Sequence, residues 1–263
     1  MAQTASILAC FARFVSGQSL YSPKQLSTLW RIILTITFYT NPNSRGRMVR
    51  WMLEEIGCPY DTVVLDYERA SEGDAWGGAA LERPDSADAD RSRFFSEVNP
   101  IGKIPAIVHD GRVISESAAI CVYLAETFPE ALLAPTPEER ANYYRWMFFA
   151  AGPVEQAVTN LRAGFTPTTS QEFFLGYGSY ERTVNQLEWA TLAHPYIAGD
   201  RFTAADVYVG SHVGWGLGLQ TLPNRQAFID YAQKLMARPA YQRAVAKDNE
   251  LLETVKSELA VQK

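Results

Sequence analysis

"LTITFYTNPNSRGRMVRWMLEEIGCPYDTVVLD", residues 34–66, sets three patterns end to end. In "LTITF" apolar and polar residues alternate at period 2, so Leu34, Ile36 and Phe38 share one face, as a strand requires. After a polar turn, Val49, Met52, Leu53 and Ile56 recur at helical spacing. Gly57 supplies a C-terminal stop and Pro59 forbids continuation. "YDTVVLD", residues 60–66, is a short β-branched run. Strand, helix and strand in that order favour a parallel, right-handed crossover. One serine, Ser44, sits in the turn where the first strand hands over to the helix.

Working outward, residues 67–93 are rich in Gly, Asp, Ser and Ala, lack a sustained period, and read as a long surface excursion. Beyond them "IPAIV" and "RVIS" flank "HDG", the pattern of an antiparallel hairpin. "ESAAICVYLAETF" then shows helical periodicity through Ala119, Val122, Tyr123 and Phe128. Three prolines between residues 129 and 137 mark a connection. After it only helical patterns remain. The aromatic stretch 138–162 carries Gly152 and Pro153, which predict a bend; further helices are expected at 171–193, 203–217, 225–237 and 239–259. "TAAD", Thr203 to Asp206, is a capping-box variant that opens one of them. The expected organisation is an N-terminal extension (1–33), an α/β domain (34–128), a linker (129–136) and an all-helical domain (137–263).

Composition excludes several function classes. Lys and Arg total 24 against 29 Asp and Glu, a formal charge of −5, so no basic field is available to hold a nucleic-acid backbone. Three cysteines, Cys10, Cys58 and Cys121, form no CxxC pair and are odd in number, which fits a reducing, cytoplasmic setting. No apolar run reaches the roughly 18 residues that a membrane span needs. The first 33 residues lack acidic side chains and partly resemble a targeting peptide, but the composition signal is weak and an extension or an early start codon is the favoured reading. His109, His194 and His212 stand apart without metal-ligand spacing, so no metal is expected. Gly214, Gly216 and Gly218 follow a helical pattern rather than a strand, which points to close helix packing and away from a dinucleotide loop.

The order β-α-β, excursion, β-β-α, with "NPIGKIPAIV" before the hairpin and "SES" entering a helix, resembles the thioredoxin-like domain of the glutathione S-transferase family. The helical second half with its capping box is similar to that family's C-terminal domain. The likeness spans roughly residues 34–255, and the order and spacing of the motifs carry it.

The resemblance implies a transferase of the serine-type, theta-like bacterial branch, with glutathione as co-substrate, a hydrophobic electrophile as second substrate, a homodimeric assembly and a role in detoxification. Ser44 would then stabilise the glutathione thiolate as the catalytic residue. A serine before a helix can indeed aim its hydroxyl at an anion near the free N–H groups, and a donor to the ionised form lowers a thiol pKa. The same serine also suits a simple turn or cap. Tyr39 and Asn43 are fallback donors, and Arg45 or Arg47 would add positive potential. By the same resemblance the Ile104–Pro105 bond is cis, Ile104 pairs through its backbone with the ligand's cysteinyl part, and Lys103 binds the glycine carboxylate. Glu116 and Ser117 hold the γ-glutamyl end, where a helix start suits a carboxylate and an acidic side chain suits an ammonium; Ser117 and Glu116 also read as an ordinary helix cap.

Cys58 and Cys121 are both away from the position after the first strand, which argues against a thiol nucleophile. The aromatic stretch around Tyr143, Tyr144, Arg145, Trp146, Met147 and Phe148 would line the electrophile pocket in part, although aromatics at helical spacing more often form core, and no single residue is assigned to the pocket. Two other functions stay open: a non-catalytic glutathione-binding or interaction module, and a glutathione-dependent isomerase, lyase or dehalogenase. "NPNSRGR" lacks the SSCSWR-type motif of the maleylacetoacetate isomerase group.

Overall fold

Strand β1 (Ile36–Thr40) is the centre of the N-terminal half in a computed structural model that describes residues 36–65 and 93–261, with side chains through residue 254. Leu34, the 1–33 extension and residues 67–92 of the excursion lie outside the described residues. Helix α1 (Gly46–Ile56) follows and ends on Gly57 at φ 73°, whose N–H caps Leu53 O at 2.9 Å. β2 (Tyr60–Val64) then pairs parallel with β1, the arrangement that the crossover pattern predicts. A π-helical turn (Phe94–Val98) leads to β3 (Ala106–His109) and β4 (Arg112–Ser115). β3 runs antiparallel to β1 and to β4, giving the sheet order β2-β1-β3-β4. The hairpin turns on Asp110 and Gly111, both at positive φ, as a tight two-residue connection demands.

Alternation on β1 divides the interior. Ile36 and Phe38 join the large core between the sheet and the helices, while Tyr39 faces a second cluster with Leu65, Phe94, Val98, Ile104 and Ala106. Helix α2 (Ser117–Thr127) closes the α/β half, and here the expected face is met only in part: Phe128 is in the core and Val122 and Tyr123 pack against it. The buried residues are Ser117, Ile120, Cys121, Leu124 and Ala125, with Ala119 exposed. The helix is apolar nearly all round, so its pattern left the orientation undetermined, and packing against α1 chose it.

The rest is helical: a short 3-10 turn (Pro129–Ala131), α3 (Arg140–Phe149), α4 (Glu155–Arg162), α5 (Thr169–Glu172), α6 (Tyr180–Ala193), α7 (Ala204–Gly218), α8 (Gln226–Met236) and α9 (Pro239–Val261). The bend expected at Gly152 and Pro153 takes the form of a π-helical segment, Ala150–Val154, joining α3 to α4. The single helix expected over 171–193 is two. α5 stops early, Gly178 takes φ 67°, and Ser179 starts α6 by accepting the Arg182 N–H on its hydroxyl.

α7 is the buried axis of this half. Its start is fixed by Asp206: Oδ2 accepts the Thr203 N–H at 2.9 Å and Oδ1 accepts the Ile197 N–H at 2.8 Å and the Tyr231 hydroxyl at 2.9 Å. A Cβ on Gly214 would collide with Met236, and one on Gly216 with Leu222. Close packing therefore explains those two glycines; Gly218 stands in open space.

α1 joins the halves. Arg50 pairs with Asp248 at 2.6 Å, both buried, and Glu55 takes two bonds from Arg238 at 2.6 and 2.8 Å. Glu54 binds Arg243 at 3.1 Å and also Lys247. Among the described residues no helix is long and apolar enough to cross a membrane.

Candidate active site

The turn between β1 and α1 is built by Asn41. Its side chain, buried, donates to Leu65 O at 2.9 Å and accepts the Asn43 N–H at 2.9 Å. Its carbonyl receives both the Ser44 N–H at 3.0 Å and the Ser44 hydroxyl at 2.7 Å. Ser44 Oγ in turn accepts the Gly46 N–H at 3.0 Å. Only glycine fits at position 46, because a Cβ there would overlap Thr40 Oγ1 and press on Ser44 Oγ. Ser44 is thus held at the entrance of α1, partly exposed, with its single proton directed at a carbonyl. That arrangement satisfies the turn and cap reading as it stands.

Of the auxiliary candidates, Asn43 is exposed beside Ser44. Tyr39 is buried against Phe94, ring centroids 5.3 Å apart, and belongs to the second core cluster. Arg45 is tied to Glu155 at the start of α4, with Nε 3.2 Å from Oε2 and a second, shorter bond from Nη2 to Oε1. Arg47 turns to Pro42 O at 2.6 Å and Asn249 at 3.2 Å. Both arginines are therefore structural partners first; only Arg45 keeps its charge next to Ser44 along the chain.

The loop before β3 carries the second group. Ile104–Pro105 is cis, as the resemblance implies. Asn99, buried, organises this loop: its N–H caps Phe94 O at 2.8 Å and its side chain donates to Lys103 O at 2.7 Å. Ile104 precedes the first ladder residue, Ala106, so its backbone lies outside the β1–β3 pairing. The Lys103 side chain is exposed.

Glu116 and Ser117 form the third group. Glu116 is the N-cap of α2 at φ 66° and ψ 116°, a region that non-glycine residues rarely occupy. Its side chain makes no cap bond, so the simple capping explanation fails for it. Such strained residues cluster at ligand sites.

In the aromatic stretch on α3 the core reading accounts for three residues. Tyr143, Trp146 and Met147 are core residues packed among the helices, and Phe148 faces outward. Helical spacing of aromatics signalled burial here, and α7 is what they bury against. Cys121 is fully buried and its thiol is pushed up to about 12 by that burial; the same cause lifts Cys58 to about 11. Neither is a thiolate at neutral pH. Sequence reasoning missed Asn41, Asn99 and Glu155. The first two sit in Asn-Pro turn signals; Glu155 carries no local mark beyond being an acid at a helix start.

A four-stranded mixed sheet with a strand-to-helix serine, a cis-proline loop and an acidic helix start, backed by a helical half, defines a thioredoxin-like fold with an appended helical bundle. The family model for "Glutathione S-transferase, N-terminal domain" matches residues 44–127. "Glutathione S-transferase GstA" of Escherichia coli O157:H7 is 31% identical over 162 residues, covering 59% of this chain and 78% of that one. A solved glutathione transferase from Methylococcus capsulatus superposes with TM-score 0.61 at 24% identity, over 81% of this chain and 98% of that one. The theta class glutathione S-transferase of Xanthomonas axonopodis pv. citri, solved with glutathione bound, gives TM-score 0.56 at 28% identity, over 80% and 96%. The chain belongs to the glutathione S-transferase family.

Proposed function

We propose that the protein is a glutathione transferase of the serine-type, theta-like branch, in which bound glutathione is held as its thiolate and attacks an electrophilic small molecule or a peroxide. Glu116 carries this reading: a strained acidic residue at a helix start, with no capping duty, suits the ligand's ammonium group. In the proposal Ser117 and the free N–H groups of α2 take the adjoining carboxylate. Ile104 pairs with the cysteinyl backbone beside Pro105, and Lys103 takes the glycine carboxylate.

Ser44 donates to the thiolate. Its proton must leave the Asn41 carbonyl for the sulfur, and the exchange is favourable, because a neutral hydrogen bond contributes about 1 kcal/mol net and a charge-assisted one roughly twice that. Asn41 O keeps the Ser44 N–H after the exchange. Arg45 adds positive potential, Asn43 stands beside the sulfur's place, and no protein nucleophile is required. We further propose a cytoplasmic homodimer acting on hydrophobic electrophiles, the setting in which the bulk composition and family resemblance agree.

The test is an ultraviolet titration of the thiol of glutathione bound to the protein. The expected result is a pKa well below the roughly 8.5 of a free thiol, restored upward by Ser44→Ala while binding persists. Binding with an unshifted thiol would overturn the mechanism.

A further inference from the structure

A cleft of about 720 Å³ opens between the second half of α1, strand β2 and α9. Its walls come from Arg50 and Leu53, from Tyr60 and Thr62, and from Arg243 and Lys247. No residue of the Ser44 turn, the cis-proline loop or the α2 start lines it. Packed helices and sheets ordinarily leave no such space.

Hydrogen-bond donors outnumber acceptors around the cleft. Arg50, only 2% exposed, gives Nε to Asp248 at 2.6 Å, and its Nη1 reaches two hydroxyls, Tyr60 at 3.2 Å and Thr62 at 3.4 Å. Its Nη2 is buried without a partner, although buried polar groups ordinarily find one. The Thr62 hydroxyl proton has no acceptor among the described residues. Arg243 gives Nε to Glu54 Oε2 at 3.1 Å and Nη2 to Glu54 O at 2.9 Å, which leaves Nη1 uncommitted. Lys247 bonds Glu54 and, at 3.4 Å, the Tyr60 hydroxyl.

The charges are also uneven. Asp248 answers Arg50, and Glu54 alone is shared by Arg243 and Lys247. Burial works against the Glu54 charge, but bonds from Lys247, Tyr60 and Arg243 hold its carboxyl below the usual value. Glu250, exposed on the rim, pairs with none of the three cations. Lys247 and Arg50 stand 5.1 and 5.7 Å from the centre of the Tyr60 ring, so positive charge converges here on a chain whose formal charge is −5.

We propose that this cleft is a binding site for a small phosphate monoester, separate from the glutathione site. Uncommitted donors on α1, β2 and α9 suit the three terminal oxygens, and the surplus cation suits their charge. Leu53 and Leu251 offer apolar surface to a compact organic body. The bound ester bridges α1 and α9 and stabilises the folded chain. Nothing in this assignment depends on the transferase reading.

The experiment titrates phenyl phosphate, with phenol as control, into the full chain by calorimetry, with and without saturating S-methylglutathione. The expected result is a single phenyl phosphate site that phenol does not fill, that S-methylglutathione leaves unchanged, and that weakens as salt rises. Lys247→Gln and Arg243→Gln alter side chains 48% and 53% exposed. Each should weaken phenyl phosphate at least about tenfold, with S-methylglutathione bound as by wild type. Absent binding, displacement by S-methylglutathione, equal binding of phenol, or unchanged affinity in both variants would overturn the proposal and leave the transferase reading standing. Phenyl phosphate bound as expected by a chain that ignores S-methylglutathione would sink the transferase reading alone.

Discussion

Arg50 donates from Nε to Asp248 Oδ1 at 2.6 Å, and both side chains are almost wholly buried. The two residues are 198 positions apart and join α1 to α9. Burial holds the Asp248 carboxyl above the usual aspartate value, and the Arg50 charge offsets only part of that rise. Removing one member leaves the other charged and unpaired, which costs about 3–5 kcal/mol. Asp248→Ala should lose that much in urea unfolding. The double variant Arg50→Met, Asp248→Leu should lose less than the single one; a larger loss would show that the pair stabilises beyond its own desolvation.

His212 makes stability depend on pH. Burial, with the Arg45 charge nearby, moves its imidazole from 6.5 down to about 3. Between those values the unfolded chain binds a proton that the folded chain refuses. The contribution is complete above pH 6.5 and is lost as pH falls toward 3. The Tm of His212→Gln should therefore decline less than that of wild type between about pH 7 and pH 4, as followed by scanning calorimetry. Parallel declines would mean that the Glu155 carboxylate, 3.7 Å away, offsets burial and leaves the imidazole at its unfolded value.

Gly46 tests whether the Ser44 position matters for chemistry. Gly46→Ala must push Thr40 or Ser44 aside, and a displacement near 1 Å at a reacting group costs roughly 10–100-fold in rate. Conjugation assays should show that drop. Adding Thr40→Ala removes the overlapping oxygen and should recover part of it. An unimpaired Gly46→Ala enzyme would separate Ser44 from the rate.

Asp206 accepts four hydrogen bonds, from Thr203 N and Oγ1, Ile197 N and Tyr231 Oη. Asp206→Ala strands several buried donors at about 1–3 kcal/mol each. Little folded protein should be recovered, with tryptophan fluorescence as the check; Asp206→Asn, which retains some acceptors, should fall between.

The sequence reveals the local patterns and conceals the long-range ones. Ile36 and Phe38 point to one core because a strand alternates, and Gly57 ends α1 because only its conformation suits a left-handed cap; both are properties of neighbours in the chain. Ser44, Pro105 and Glu116 were legible through their order and spacing. Ala119 was misplaced because an evenly apolar helix has no preferred side until α1 presses on it. The α3 aromatics were left open for the converse reason: Tyr143 and Trp146 look the same in a pocket or a core, and α7, some 60 residues later, decides. Glu155 was invisible, since its partners Arg45 and His212 lie over 50 residues away along the chain.

The salt-linked seam along α1 has a bearing on how this architecture can be recombined. Among the described residues Arg50 and Glu54 find their counter-charges on α9 and Glu55 on Arg238 just before it, so transplanting the α/β half alone would carry three orphaned ionic groups into its new host. Chimeras that exchange α1 together with Arg238 and α9 preserve the charge pairing, and those that exchange either side alone break it. For protein engineers the interchangeable unit is this helix pair, wherever the prolines happen to fall.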